Sequence, residues 1–187
     1  MPRLFFAVRT PENLRIQLRR VQDELAKKLD ELGARFKIEN LNNSHCTLRF
    51  LGNVKETMVS QIIQATKTEV ERMQVGPFRE SLTTIGAFTH RGQTRVLWVG
   101  LSPIEILQRL REAVDAAVGS FGIPIEREDQ FHPHLTLIRF REPFRLPHSF
   151  AFPEVETETA VVSEIELVES KTLPQGAVHS VRAYFQL

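Results

Sequence analysis

The chain has 187 residues, 42% hydrophobic and 25% charged, values of a globular protein that can bury a core in one domain or in two small packed lobes. A formal charge of +1 and a pI near 8.0 argue against a protein held on duplex DNA by charge alone, and leave a small or local phosphate ligand open. The single cysteine excludes an internal disulfide, no apolar run approaches the ~18 residues of a membrane span, and the first residues lack a signal-peptide layout, so a cytoplasmic protein with no membrane partner is expected.

Residues 3–8 form an apolar run read as a strand, and Thr10-Pro11 predicts a helix start with Thr as cap and Pro at the first helical position. Leu14, Leu18, Val21, Leu25, Leu29 and Leu32 recur at spacings of three and four, and Gly33 supplies the stop. A short strand over 35–38 and the polar turn Leu41-Asn42-Asn43-Ser44 lead into a strand over 45–51 that ends at Gly52. A second helix is predicted over about 57–73, with Met58, Ile62, Ile63, Ala65, Val70 and Met73 on one side and Gly76-Pro77 closing it. Strands over 78–88 and 94–101 are joined by the hairpin signature His90-Arg91-Gly92-Gln93.

Ser102-Pro103 caps a third predicted helix, with Ile106, Leu107, Leu110, Val114, Ala117 and Val118 as its apolar face. Residues 121–125 lead through an acidic turn to Phe131-His132-Pro133 and a strand over 134–140. A Pro-containing loop over 142–153 follows, then strands over 161–168 and 178–185. Antiparallel-looking strand pairs mixed with helices favour α+β over a doubly wound sheet. No linker divides the chain, so residues 1–187 are expected to form one domain, a loose duplication in which a helix precedes each of two related strands.

Those strands carry His45-Cys46-Thr47-Leu48 and His134-Leu135-Thr136-Leu137, two copies of the tetrad H-x-T-L. Random order of this composition would give roughly 0.04 copies, so the pair is not accidental. On a strand, His and Thr share one face while Cys46 and Leu48, or Leu135 and Leu137, turn into a core. Facing each other, the two strands offer two imidazoles and two hydroxyls. That set suits a phosphodiester: a neutral His takes a proton from water, a protonated His gives one to the leaving oxygen, and hydroxyls bind the non-bridging oxygens.

Arg139 and Phe50 each stand five places after a tetrad His. Strict alternation puts both on the far side, so either the strand bulges or ends there, or neither reaches the histidines. For Arg139, phosphate binding and a surface charge are equal alternatives from spacing; for Phe50, core packing is favoured. Arg49 shares the parity of His45 and is a second candidate cation. Cys46 is read as a buried inert thiol rather than a nucleophile, because strand neighbours point to opposite faces. His132 and His134 lack carboxylate or cysteine partners at ligand spacing, so no metal is expected. His90, His148 and His179 have no nameable partner, and Gly100, Gly119 and Gly122 make no phosphate-cradling loop.

The stretches His45-Cys46-Thr47-Leu48-Arg49-Phe50-Leu51-Gly52 and Phe131-His132-Pro133-His134-Leu135-Thr136-Leu137-Ile138-Arg139 resemble the 2H phosphoesterase superfamily. Within it they are similar to the RNA 2′,3′-cyclic phosphodiesterases, also called 2′-5′ RNA ligases. The opening run over 3–8 and the stretch 95–101 resemble that family too. The resemblance implies a bilobed α+β fold of two antiparallel sheets related by pseudo-twofold symmetry, with helices on the outer faces and a cofactor-free active site in the cleft between lobes. It implies that His45 protonates the departing O3′ and that His134 activates water, giving a 2′-phosphate. Thr47, Thr136 and Arg139 would hold the phosphate, with the strand ending at Arg139, and Phe50 would stack a base. The family's base contact from the second lobe falls on Leu135, which can neither stack nor donate. The implied partner is RNA or a nucleotide with a 2′,3′-cyclic phosphate end, met by a monomer. Two alternatives are a reversible 2′-5′ RNA ligase using the same site and a non-catalytic nucleotide or RNA binder on the same fold. Two intact proton-transfer groups count against the binder.

Overall fold

The apolar strands sort into two antiparallel sheets, and the chain crosses between them repeatedly. The computed structural model describes residues 1–123, 131–156, 158–174 and 176–187. In chain order its elements are β1 (Arg3–Arg9), α1 (Glu12–Glu31), β2 (Phe36–Ile38), a 3-10 turn (Leu41–Asn43), β3 (His45–Asn53), α2 (Glu56–Met73), β4 (Phe78–His90), β5 (Gln93–Ser102), α3 (Ile104–Gly119), β6 (His134–Phe144), β7 (Thr159–Val162), β8 (Glu164–Leu173) and β9 (Gly176–Gln186). The first sheet has the order β3-β1-β8-β9 and the second β2-β6-β5-β4-β7. This is the expected α+β architecture.

β1 lies inside the first sheet because both its faces are apolar. Leu4, Phe6 and Val8 join the main core, while Phe5 and Ala7 form a separate buried cluster with Val168 on the other face. The Leu14, Leu18, Val21, Leu25 and Leu29 stripe of α1 is buried as its spacing requires. Although α1 follows β1, it packs on β6 and β7 of the second sheet, whereas α3 follows β5 and packs on β3 of the first. This exchange unites both sheets around one buried cluster that includes Leu18, Leu48, Leu97, Leu107 and Leu137. The helices therefore cover the core sides of the sheets, away from the tetrad histidines.

The hairpin turn is as expected: Arg91 and Gly92 both have positive φ (51° and 73°), the two-residue geometry that matches strand twist. Several details differ. Thr10 does not cap α1; Pro11 is the N-cap residue, and the Thr10 hydroxyl pairs with Ser44 Oγ at 2.9 Å, tying the end of β1 to the start of β3. The buried face of α2 runs through Val59, Ile62, Thr66 and Val70, with the expected Met58, Ile63 and Met73 partly buried against the same core. The single strand expected over 161–168 is two strands in different sheets. Buried Ala160 and Val162 precede Ser163, and buried Ile165 and Leu167 follow it, so the period-two pattern slips one residue where the chain changes sheet. β6 runs on to Phe144, shortening the loop expected from 142. The acidic turn after Ile123 lies outside the described residues.

Candidate active site

Both tetrads lie on strands as their alternation requires, β3 in the first sheet and β6 in the second. Their first seven positions have the same succession of burial, with His and Thr half-buried on one face and Cys46, Leu48, Leu135 and Leu137 in the core. Each His is held in the same way. His45 Nδ1 donates to the carbonyl of Asn43 at 2.6 Å, and His134 Nδ1 donates to the carbonyl of His132 at 2.6 Å. A carbonyl only accepts, so each neutral ring carries its proton on Nδ1 and its lone pair on Nε2. This pairing is the local form of the pseudo-twofold relation. The two strands meet where the sheets join: Cys46 hydrogen-bonds with the backbone of His134, and the charge of His134 acts on His45. Burial pushes the Cys46 thiol up, which agrees with an inert core group.

A bulge in each strand settles the question of parity. Between β1 and β3 the register steps from Ala7 opposite Thr47 to Phe6 opposite Arg49, skipping Leu48. Between β5 and β6 it steps from Trp98 opposite Thr136 to Leu97 opposite Ile138, skipping Leu137. Two consecutive residues thus turn into the core in each strand, Leu48 with Arg49 and Leu137 with Ile138. The next residue returns to the histidine face. Arg139 reaches Thr136 Oγ1 at 3.4 Å, so it joins the tetrad side by a bulge and not by the expected strand end.

Phe50 arrives by the same device, 50% exposed, with its ring 5.7 Å from Phe5, which itself lies 4.8 Å from the His45 ring. The core packing favoured for Phe50 from spacing is therefore incorrect. Arg49 is also corrected: the bulge turns it inward, where Nε lies 3.3 Å from Asp115 on α3, and it is no cation of the histidine face. Burial outweighs Arg49 and Arg111 in setting the Asp115 carboxyl, which is held above its ordinary range.

The second bulge is braced from α1. Gln22, fully buried, donates from Nε2 to the carbonyls of Leu137 and Glu39, each at 3.0 Å. Glu39 Oε1 in turn accepts from Arg139 Nε at 2.7 Å. Pairing through Nε directs the remaining edge of the guanidinium elsewhere, including toward Thr136.

Around the histidines stand residues that sequence spacing did not single out. Phe88 meets His134 edge-on at 4.9 Å, and Trp98 lies 6.1 Å from it. The indole lies over Gly86, where a Cβ would overlap the ring. These two aromatics line the second sheet's side, while Leu135 is 1% exposed and faces the core. On the first sheet His179 stands 5.2 Å from His45 and 5.2 Å from Phe5. Their only sequence signal is strand parity with a partner that pairing alone identifies.

Desolvation is the chief influence on His45, lowering its pKa to about 4 against the opposing hydrogen bond that the ring donates to the Asn43 carbonyl, with further lowering by His179, Arg9 and His134. His179 is also lowered, mainly by burial and then by Arg9. Among the described residues no cluster of His, Cys, Asp and Glu has an arrangement for a metal ion, and no helix is long and apolar enough to cross a membrane.

Fold, paired strands and tetrads together define a two-histidine phosphoesterase arrangement. Residues 10–172 match the 2′-5′ RNA ligase superfamily, and the chain belongs to that family. It is 31% identical to the RNA 2′,3′-cyclic phosphodiesterase of Aeropyrum pernix over 87% of this chain and 90% of that one. It is 30% identical to the protein of the same name from Methanothermobacter thermautotrophicus over 99% and 98%. The crystal structure of TT0787 of Thermus thermophilus superposes with a TM-score of 0.81 at 27% identity, covering 99% and 97% of the two chains. E. coli LigT complexed with 3′-AMP shares the fold, with a TM-score of 0.74 at 23% identity over 100% and 98%.

Proposed function

We propose that the protein is a hydrolase, an RNA 2′,3′-cyclic phosphodiesterase that opens a terminal cyclic phosphate to a 2′-phosphomonoester. The observation that carries this is the paired geometry of His45 and His134, each locked through Nδ1 to the carbonyl two residues earlier and each followed by a hydroxyl on its own face. The names of the relatives from A. pernix and M. thermautotrophicus support it.

His134 takes the proton of the attacking water through Nε2, and His45 protonates the departing O3′. Thr47, Thr136 and Arg139 hold the non-bridging oxygens, and Phe50 offers its exposed ring to a base. Burial keeps His45 neutral in the free protein, with a pKa of about 4. A phosphodiester anion against the ring favours the charged form, so the acid acquires its proton as substrate binds. Residues 1–187 act as one unit in this reading, because the two histidines come from different sheets.

The test is incubation with an oligonucleotide ending in a 2′,3′-cyclic phosphate, in EDTA. A 2′-phosphate is expected at undiminished rate. Loss of turnover restored by zinc or manganese would refute histidine-only chemistry, and a predominant 3′-phosphate would reverse the roles of the two rings or the substrate pose. The reverse reaction with a 5′-hydroxyl in place of water uses the same groups and would appear as a 2′-5′ linkage.

A further inference from the structure

The histidine face of the first sheet continues well beyond the tetrad. Across it, Ala7 of β1 is opposite Glu166 of β8, and Glu166 is opposite Tyr184 of β9, so all three share a face with Phe5 and Arg9. A hollow of about 110 Å³ opens there beside His45, lined among others by Phe5, Arg9, Asn42, Ser44 and His179. Nothing in the proton transfers proposed above uses Arg9 or His179.

We propose that Arg9 and His179 form a second phosphate subsite, which takes the phosphodiester immediately 5′ of the cyclic end and so makes the protein prefer an oligonucleotide to a mononucleotide; this rests on the reading given above. Glu166 is the first reason. Its carboxylate is only 4% exposed, and it accepts from Arg9 Nε at 2.8 Å while the Arg9 side chain stays 49% exposed. A buried carboxylate is costly unless it is paired, and here it grips the side of the guanidinium away from its two Nη groups. Those groups are the fork that suits a phosphate.

The second reason is the placement of His179. Asn43 Nδ2 donates to the carbonyl of Ala177 at 3.2 Å, fastening the start of β9 to the turn that also holds His45. His179 is thereby held edge-on to His45, with the ring centroids 5.2 Å apart. Arg9, His45 and His179 line one hollow, so in the proposed pose a single nucleotide joins the reacting phosphate at His45 to the next one at His179 and Arg9. Beyond them Tyr184, 58% exposed, offers a ring on which a preceding base can stack.

The test compares kcat/KM for three substrates: uridine 2′,3′-cyclic phosphate, the same compound carrying a 5′-phosphate, and the dinucleotide UpU with a cyclic end. The wild-type protein is expected to favour the second and third over the first by about tenfold or more, the worth of one charged hydrogen-bonded contact. In the double variant Arg9→Met, Glu166→Gln, which leaves no buried carboxylate unpaired, that ratio should fall to near one through KM. His179→Ala should lower it part of the way. Equal turnover of all three substrates by the wild type would overturn the subsite while leaving the cyclic phosphodiesterase reading intact. A uniform drop on all three in the variants would mean that Arg9 and His179 serve the reacting phosphate or the sheet, and would overturn it too. Absence of turnover on every substrate by the wild type would overturn the phosphodiesterase reading and the subsite with it.

Discussion

Arg139 donates to the hydroxyl of Thr136, three residues before it on the same strand, at 3.4 Å. On a regular strand these side chains would point to opposite faces, and the bulge at Leu137 is what brings them together. The guanidinium is further aimed by Glu39, which takes its Nε, and the bulge is braced by Gln22. Replacing Arg139 with Met should therefore raise KM and weaken 2′-phosphate product binding by about ten- to a hundredfold, the range for a charged hydrogen bond, with a smaller effect on kcat. Steady-state kinetics and product titration check this; an unchanged KM would remove Arg139 from the site.

Replacing either His45 or His134 with Ala should lower turnover on a cyclic-ended oligonucleotide on the order of 10²-fold or more, the usual loss of a positioned acid or base. The wild-type pH profile should be a bell whose limbs belong to the coupled pair. Each variant should lose one limb. Two variants with near-normal rates and intact bells would make the tetrads structural.

His45 itself can be followed by NMR of its ring. In the free protein it should titrate near 4, because desolvation opposes the charged form. Adding a 2′-phosphate product should move that titration upward, as an anion favours imidazolium. For stability the sign is that of a depressed base: between about pH 6.5 and 4 the unfolded chain binds the proton more readily, so stability falls as pH drops through that window. Titration at the ordinary value in the free protein would contradict the burial argument.

Glu80 on β4 is fully buried, and neither carboxyl oxygen has a hydrogen-bond partner among the described residues. Burial pushes its pKa up to about 8. A raised acid binds its proton more tightly when folded, so its contribution is present below about 4.5 and is lost as pH rises toward 8. Glu80→Gln, which cannot ionise, should accordingly gain in Tm over the wild type as pH rises from 5 to 9. A constant difference across that range would show that Glu80 does not titrate as described.

Much of the candidate site was legible without coordinates, because its signal is local. Strand alternation alone puts His45 with Thr47 and His134 with Thr136, and the same alternation buries Cys46 and Leu135. Helical periodicity likewise marks the α1 stripe, and Arg91-Gly92 marks the hairpin. What alternation could not determine is where it breaks. A bulge depends on the register of two strands and on groups from elsewhere that satisfy its carbonyls, here Gln22 from α1, so Arg49, Phe50 and Arg139 could be assigned a face only in the fold. The same holds for His179, Phe88 and Trp98, which reach the tetrads through sheet neighbours far away in sequence. Residue type and period fix a side chain's local direction; which other chains stand across from it is decided by long-range pairing, which a single sequence does not display.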